Sequence, residues 1–254
     1  MRIISFSADG IINAAEKGFY DWLSEQDADF VCIQDLRCSE YDLQDKKYFP
    51  VDYNAYFLDD IDGKANGVAI YCRKLPKAIM TGLGFADFDM EGRYIQADYE
   101  NLSVGCLLAP FAEPGNADQL AHKLAFYEQL GAHLQKVRNK RREFIICGNW
   151  QLAHTATDVQ DTERNSNSPG FLTEERQWIN ELFDSGYIDA FREINSDQDE
   201  FSWWPDGNRD SNGWRSDFHV ISKGLQYTVD YGAIYKVKEF STHAPIIMDY
   251  DIEI

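Results

Sequence analysis

The chain has 254 residues, with 43 Asp and Glu against 24 Lys and Arg, a net charge of −19 and a pI near 4.5. Its 44% apolar and 14% aromatic residues suffice for a sizeable core, which excludes global disorder. So acidic a field repels a phosphate backbone unless positive charge is concentrated locally, which argues against autonomous nucleic-acid binding.

The opening residues, Met1-Arg2-Ile3-Ile4-Ser5, predict a strand over 2–6. They lack the charged and apolar regions of a signal peptide. Apolar spacing near 3.6 predicts a helix over about 13–26, with Ala15, Phe19, Trp22 and Leu23 on one face. Strands are predicted over 30–34, 67–72, 94–98 and 103–108. A long helix is predicted over about 118–138, carrying Leu120, Leu124, Tyr127, Leu130, Leu134 and Val137, followed by a strand over 143–147. The polar stretch 154–169 has little periodicity and predicts a long surface loop. A helix over about 173–184 follows, with Thr173 as N-cap and Glu174 and Glu175 at its positive end. Residues 206–210 predict another turn-rich loop. Strands over 217–221 and 246–251 complete the order. Short strands alternating with helices point to α/β layers. With no linker and no repeat, one domain over 1–254 is the expectation.

The five cysteines, Cys32, Cys38, Cys72, Cys106 and Cys147, have no zinc-ligand spacing and suit buried thiols in a reducing cytoplasm. His122, His133, His154 and His219 show no ligand spacing either. No apolar run approaches the length of a membrane span.

Six segments stand in an informative order: Ser5-Phe6-Ser7-Ala8-Asp9-Gly10, Ile33-Gln34-Asp35, Leu107-Leu108-Ala109-Pro110, Gly148-Asn149-Trp150-Gln151, Gly213-Trp214-Arg215-Ser216-Asp217 and Ser241-Thr242-His243-Ala244-Pro245. With Gly170-Phe171-Leu172, Glu175-Arg176, Trp178 and Phe201-Ser202-Trp203-Trp204, they resemble the exonuclease–endonuclease–phosphatase superfamily, in its exonuclease III branch. The resemblance covers nearly the whole chain. It implies a four-layer α/β sandwich, with two mixed sheets face to face and helices outside.

Active relatives hold magnesium through oxygen ligands, above all a glutamate after the second strand. Asp35 stands there on a shorter stem, and a displacement near 1 Å costs roughly 100-fold in rate. Ser7 replaces an asparagine that helps orient that site. Asn149 replaces an aspartate that activates water, and an amide cannot take a proton as a general base. Gln151 replaces an asparagine, Leu108 a tyrosine, and Thr242 the aspartate read as orienting the histidine. Asp217 and His243 remain. The expectation is a remnant active site of Ser7, Asp9, Asp35, Leu108, Asn149, Gln151, Asp217, Thr242 and His243, in a pseudoenzyme that holds neither metal nor cofactor. The rival is a slow magnesium-dependent nuclease or phosphatase that uses Asp35, Asp217 and His243 with Asp9 as a substitute ligand.

Further matches lie in Gly82-Leu83-Gly84-Phe85, Gly92-Arg93-Tyr94-Ile95-Gln96-Ala97-Asp98, Lys140-Arg141-Arg142-Glu143, Trp204-Pro205-Asp206 and Asp249-Tyr250-Asp251. They make the chain similar to the catabolite repression control (Crc) family. That resemblance implies a cytoplasmic translational repressor acting with the RNA chaperone Hfq on A-rich mRNA, with weak or no RNA binding alone. The dense basic run Lys136–Arg142 includes Arg138, Lys140, Arg141 and Arg142, the expected RNA or partner contacts. Two or three of its cations would be explained by a helix C-terminus alone. Trp203, Trp204 and Trp214 are expected near the cleft, as packing residues first.

Overall fold

Twelve strands form two six-stranded sheets, in a computed structural model that describes residues 1–254. In chain order the strands are β1 Arg2–Ser7, β2 Phe30–Gln34, β3 Asn54–Leu58, β4 Val68–Cys72, β5 Ala78–Thr81 and β6 Tyr94–Asp98. They continue as β7 Leu102–Leu108, β8 Glu143–Asn149, β9 Tyr187–Asp189, β10 Asp217–Ser222, β11 Val229–Ile234 and β12 Ile246–Tyr250. The helices are α1 Ile11–Glu16, α2 Phe19–Leu23, α3 Ala117–Val137, α4 Thr162–Asn165, α5 Thr173–Asp184 and α6 Ala190–Ile194. One sheet has the order β11-β12-β1-β2-β4-β3, the other β5-β6-β7-β8-β10-β9. Each holds one parallel pair at its centre, β1 with β2 and β7 with β8, and is otherwise antiparallel.

Side-chain alternation divides the core into layers. Ile3, Phe30, Cys32 and Ile70 of the first sheet meet Ile95, Val104, Cys106 and Ile145 of the second. The alternate residues Ile4, Phe6, Val31 and Ile33 face outward onto Phe19, Trp22 and Leu23 of α2. On the far side, Ile146, Phe218 and Val220 receive Phe126, Tyr127, Leu130 and Leu134 of α3 and Ile179 and Leu182 of α5. The expected four-layer sandwich is therefore present. All five cysteines are free and buried, four of them in the inter-sheet core. No helix is long and apolar enough to cross a membrane.

Three local expectations are corrected. The helix expected over 13–26 is two helices, because Gly18 adopts φ +87, a left-handed conformation that ends α1 and restarts the chain as α2. Thr173 opens α5 but does not cap it. Glu175 does so from inside, its Oε2 accepting the backbone N–H groups of Gly170 at 2.6 Å and Leu172 at 3.0 Å. The stretch expected as a surface loop over 154–169 holds a 3-10 turn, Ala156–Asp158, and the short α4. Asp158, the last residue of that turn, is fully buried.

Candidate active site

A cleft of about 720 Å³ opens where both parallel pairs end. The chain leaves β1 into Asp9, β2 into Asp35 and Arg37, and β8 into Gln151, while β7 ends on Leu108 and Ala109. Of the eight non-glycine residues with positive φ, five line this cleft: Asp9, Asp35, Arg37, Asn66 and Gln151. Each such conformation costs about 1–2 kcal/mol away from Asn or Asp. Strain of this kind persists only where the surroundings over-determine it, and it concentrates at functional sites.

All nine residues of the expected site are brought together. Asp9, Asp35, Leu108, Asn149, Gln151, Thr242 and His243 line the cleft. Ser7 and Asp217 lie buried behind it. The Nδ2 of Asn149 donates to Ser7 Oγ at 3.2 Å, and its Oδ1 accepts the Gln151 N–H at 3.0 Å. Asn149 thus holds the cleft wall and carries no exchangeable carboxyl proton.

The reading of Thr242 is corrected. His243 has not lost its carboxylate, because Asp217 Oδ2 lies 2.8 Å from its Nδ1. Ser202 Oγ steadies the same carboxylate oxygen at 2.6 Å. Burial works against charge on His243, but Asp217, then Asp9 and Asp35, outweigh it and raise the imidazole pKa. Thr242 instead holds Asp9, whose Oδ2 accepts both its hydroxyl and, at 2.9 Å, its N–H. Burial pushes the Asp9 carboxyl up, yet His243, Thr242 and Arg37 together bring it below the ordinary value.

Sequence reasoning missed the cations. Lys17, Arg37, Lys64 and Arg93 line the cleft, with Phe111 at its mouth. Arg37 forks onto Asp35, with Nη2 at 2.6 Å and Nε at 3.1 Å, and reaches Asp9 Oδ1 with Nη2 at 3.3 Å. Burial opposes the Arg37 charge, but these two carboxylates raise its pKa. Only the proximity of Arg37 to Asp35 in sequence offered a signal. The rest are gathered by topology. Trp203 stacks on the His243 ring at 5.7 Å and 17°, whereas Trp204 and Trp214 are buried packing residues.

The donor set does not fit a resident magnesium ion. Both Asp35 oxygens are bonded to Arg37, and those of Asp9 to Arg37 and Thr242. No three acidic, histidine or cysteine side chains are grouped to hold a metal, where magnesium demands near-octahedral oxygen ligation.

The basic run borders a separate groove of about 370 Å³, which shares no lining residue with the cleft. Its members divide. Arg138 bonds the carbonyl of Ser185, and Arg142 pairs with Asp98 at 2.9 Å. Lys140 and Arg141 are exposed.

The two facing sheets, flanked by helices and with the cleft at their strand ends, are the architecture to which the comparisons with known proteins point. The sequence matches the Endonuclease/Exonuclease/phosphatase family over residues 8–231, and the chain belongs to that family. It is similar to an exodeoxyribonuclease of Bacillus subtilis, 28% identical over 97% of this chain and 98% of that one. It is equally similar to the DNA repair nuclease APEX1 of Danio rerio, 28% identical over 98% of this chain and 81% of that one. Among solved structures, an AP endonuclease from Archaeoglobus fulgidus superposes with a TM-score of 0.89 at 21% identity, covering 99% of this chain and 100% of that one. A 3'-5' exonuclease from Neisseria meningitidis also gives 0.89, at 18% identity with the same coverage. The expectation of a pseudoenzyme is overturned. Full-length relatives are named as nucleases, and the chain keeps the histidine–carboxylate pair, whose supposed loss was one of the six changes behind that expectation.

Proposed function

We propose that this chain hydrolyses a phosphate ester of a nucleic acid in the cleft, with His243 as the proton donor. The observation that carries the reading is the Asp217–His243 pair, 2.8 Å apart, at a cleft lined by four cations. With Nδ1 held on Asp217, Nε2 is the ring atom left for a substrate. The raised pKa keeps His243 protonated at higher pH than an ordinary histidine, which suits a general acid. Water adds to phosphorus and both its protons stay with the phosphate released, while the departing oxygen takes the Nε2 proton as its bond to phosphorus breaks, leaving His243 neutral. Lys17, Lys64 and the free edge of Arg37 offset the negative charge on the phosphoryl oxygens, while Arg93 is held by Glu91. Asn149 offers no base, so the acid is the principal lever on the rate.

The test is release of a 3'-phosphate and cleavage of abasic DNA, compared between wild type and His243→Ala. Replacing the general acid is expected to lower turnover by about 100-fold or more. Wild-type activity should fall as pH rises through the raised His243 pKa, and Asp217→Asn should move that fall to lower pH. Activity indifferent to His243→Ala removes this reading.

A second reading, recruitment to an Hfq–A-rich RNA assembly in repression of translation, is favoured by exposed Lys140 and Arg141 in a chain of net charge −19. It does not depend on turnover. Arg141→Glu with Lys140→Glu is expected to weaken a ternary gel-shift with Hfq and A-rich RNA. The wild-type shift should itself fade as salt rises, because phosphate contacts release counterions. A double variant that assembles like wild type at every salt concentration rejects this role for the run.

A further inference from the structure

We infer that the Arg37 guanidinium stands where a divalent ion would bridge Asp9 and Asp35, and that the cleft binds the phosphate of a nucleotide without a metal. The inference deepens the hydrolase reading and rests on the cleft being its phosphate site.

The geometry is that of a built bridge. Arg37 takes both oxygens of Asp35 and one of Asp9, the planar fork matching a carboxylate as an ammonium would not. The three residues sit at φ +50, +59 and +52 for Asp9, Asp35 and Arg37. For an arginine that conformation is uncommon, so the local chain is bent to bring this side chain back onto the carboxylates. Its Nη1 makes no hydrogen bond to protein, and the side chain is about half exposed. One edge of the guanidinium therefore holds the acids, while a free donor remains toward solvent.

Charge points to the ligand. A divalent ion between two carboxylates would leave them neutral, whereas one guanidinium leaves one negative charge. Lys17 and Lys64 more than make up the difference, while Arg93 is already paired with Glu91. The three remaining cations, Lys17, Arg37 and Lys64, against Asp9 and Asp35 leave the lining a net charge of +1 before His243 is counted. In a chain of −19 this is a local reversal of sign, and a phosphate is the anion whose oxygens suit guanidinium and ammonium donors together. Phe111 is 46% exposed and stands edge-on to Trp203 at 6.4 Å and 83°. It offers a flat apolar face at the mouth, on which a base can stack.

Calorimetric titration with AMP and with inorganic phosphate tests this, in chelator and in millimolar magnesium. Wild type should bind AMP equally under both conditions and more tightly than phosphate. Arg37→Met should lose about tenfold or more in AMP affinity, the worth of a charge-assisted hydrogen bond. Its two freed carboxylates should take up manganese, read by electron paramagnetic resonance, where wild type does not. Arg37→Gln, which can still bond Asp35, should lose AMP affinity likewise, and circular dichroism establishes that the variants fold. Magnesium-dependent AMP binding by wild type overturns the inference, as does manganese uptake equal to that of Arg37→Met, or AMP affinity unchanged in both variants. Phosphate binding as tight as AMP overturns the nucleotide assignment. Metal-free AMP binding without turnover leaves the inference standing and removes the hydrolase reading. Turnover together with magnesium-dependent binding does the reverse.

Discussion

Asp158→Ala is expected to destabilise the protein by about 3–5 kcal/mol, the range for breaking a buried ion pair from one side. Asp158 Oδ1 lies 2.8 Å from both Arg215 Nε and Arg192 Nη2, and its Oδ2 accepts the Thr155 N–H at 3.0 Å. Arg215 is wholly buried, reaches Asp189 at 2.7 Å and lies over the Phe218 ring at 4.4 Å. Burial alone would push the Asp158 carboxyl up, but Arg215 and Arg192 hold it well below the usual carboxylate range. A folded-state pKa below the unfolded one gives stability that is full above the unfolded value, near 4, and is lost as pH falls toward the folded one. Alanine removes this carboxylate and leaves the Arg215 guanidinium with one counter-ion in the interior. Urea denaturation at neutral pH measures the effect, and the difference between wild type and variant should shrink in acid. A loss under about 1 kcal/mol, on the scale of an exposed pair, would contradict the account.

Lys123→Met is expected to have a comparable effect by the same mechanism, again about 3–5 kcal/mol, with a consequence at the cleft. Lys123 on α3 and Glu175 on α5 are both fully buried, 2.6 Å apart. Burial lowers the Lys123 pKa against the pull of Glu175. The same ammonium donates to the Gln151 carbonyl at 2.6 Å, and so fixes the left-handed turn by which the chain leaves β8 into the cleft. Methionine fills the volume and strands the carboxylate. The double variant Lys123→Met with Glu175→Gln should recover most of the loss, because a pair removed together leaves no uncompensated charge. Glutamine can still accept the Gly170 and Leu172 N–H groups. Chemical denaturation of both variants checks this, and a double variant less stable than Lys123→Met alone would show that the Glu175 charge stabilises the fold in its own right. Amide shifts of Gln151 and Asn149 in the single variant should report the loosened turn.

What the sequence revealed follows from burial. The eight predicted strands are the inner strands of both sheets, β1, β2, β4, β6, β7, β8, β10 and β12. Buried on both faces, they carry continuous apolar runs such as Phe30–Gln34. The four missed strands, β3, β5, β9 and β11, are the four sheet edges. β5 and β9 span only four and three residues, too few to show a period in the sequence. Motif order named nine residues that the fold gathers, seven on the cleft wall and Ser7 and Asp217 behind it. It could not assign partners, because Asp217 reaches His243 from the start of β10, a cross-sheet relation that adjacency in sequence conceals. Thr242, adjacent to His243, was mistaken for the position of its carboxylate. Arg37 was unmarked because only its backbone conformation carries it onto Asp9 and Asp35. Asp158, in a stretch polar enough to read as surface, is buried because Arg215 and Arg192 neutralise it.

The pairing of β1 with β12 has a temporal consequence. β1 is at the middle of its sheet, yet one of its two neighbours is the last strand of the chain. Asp9 and Thr242, which meet in the cleft, are 233 residues apart. During synthesis the second sheet can assemble from β5 through β10 while β1 waits with an open flank. Contacts of such long separation form slowly, and an unfilled strand flank is prone to wrong pairing. The cleft is therefore among the last parts to mature, and a ribosome paused before β12 holds a chain with most of its core but no assembled cleft.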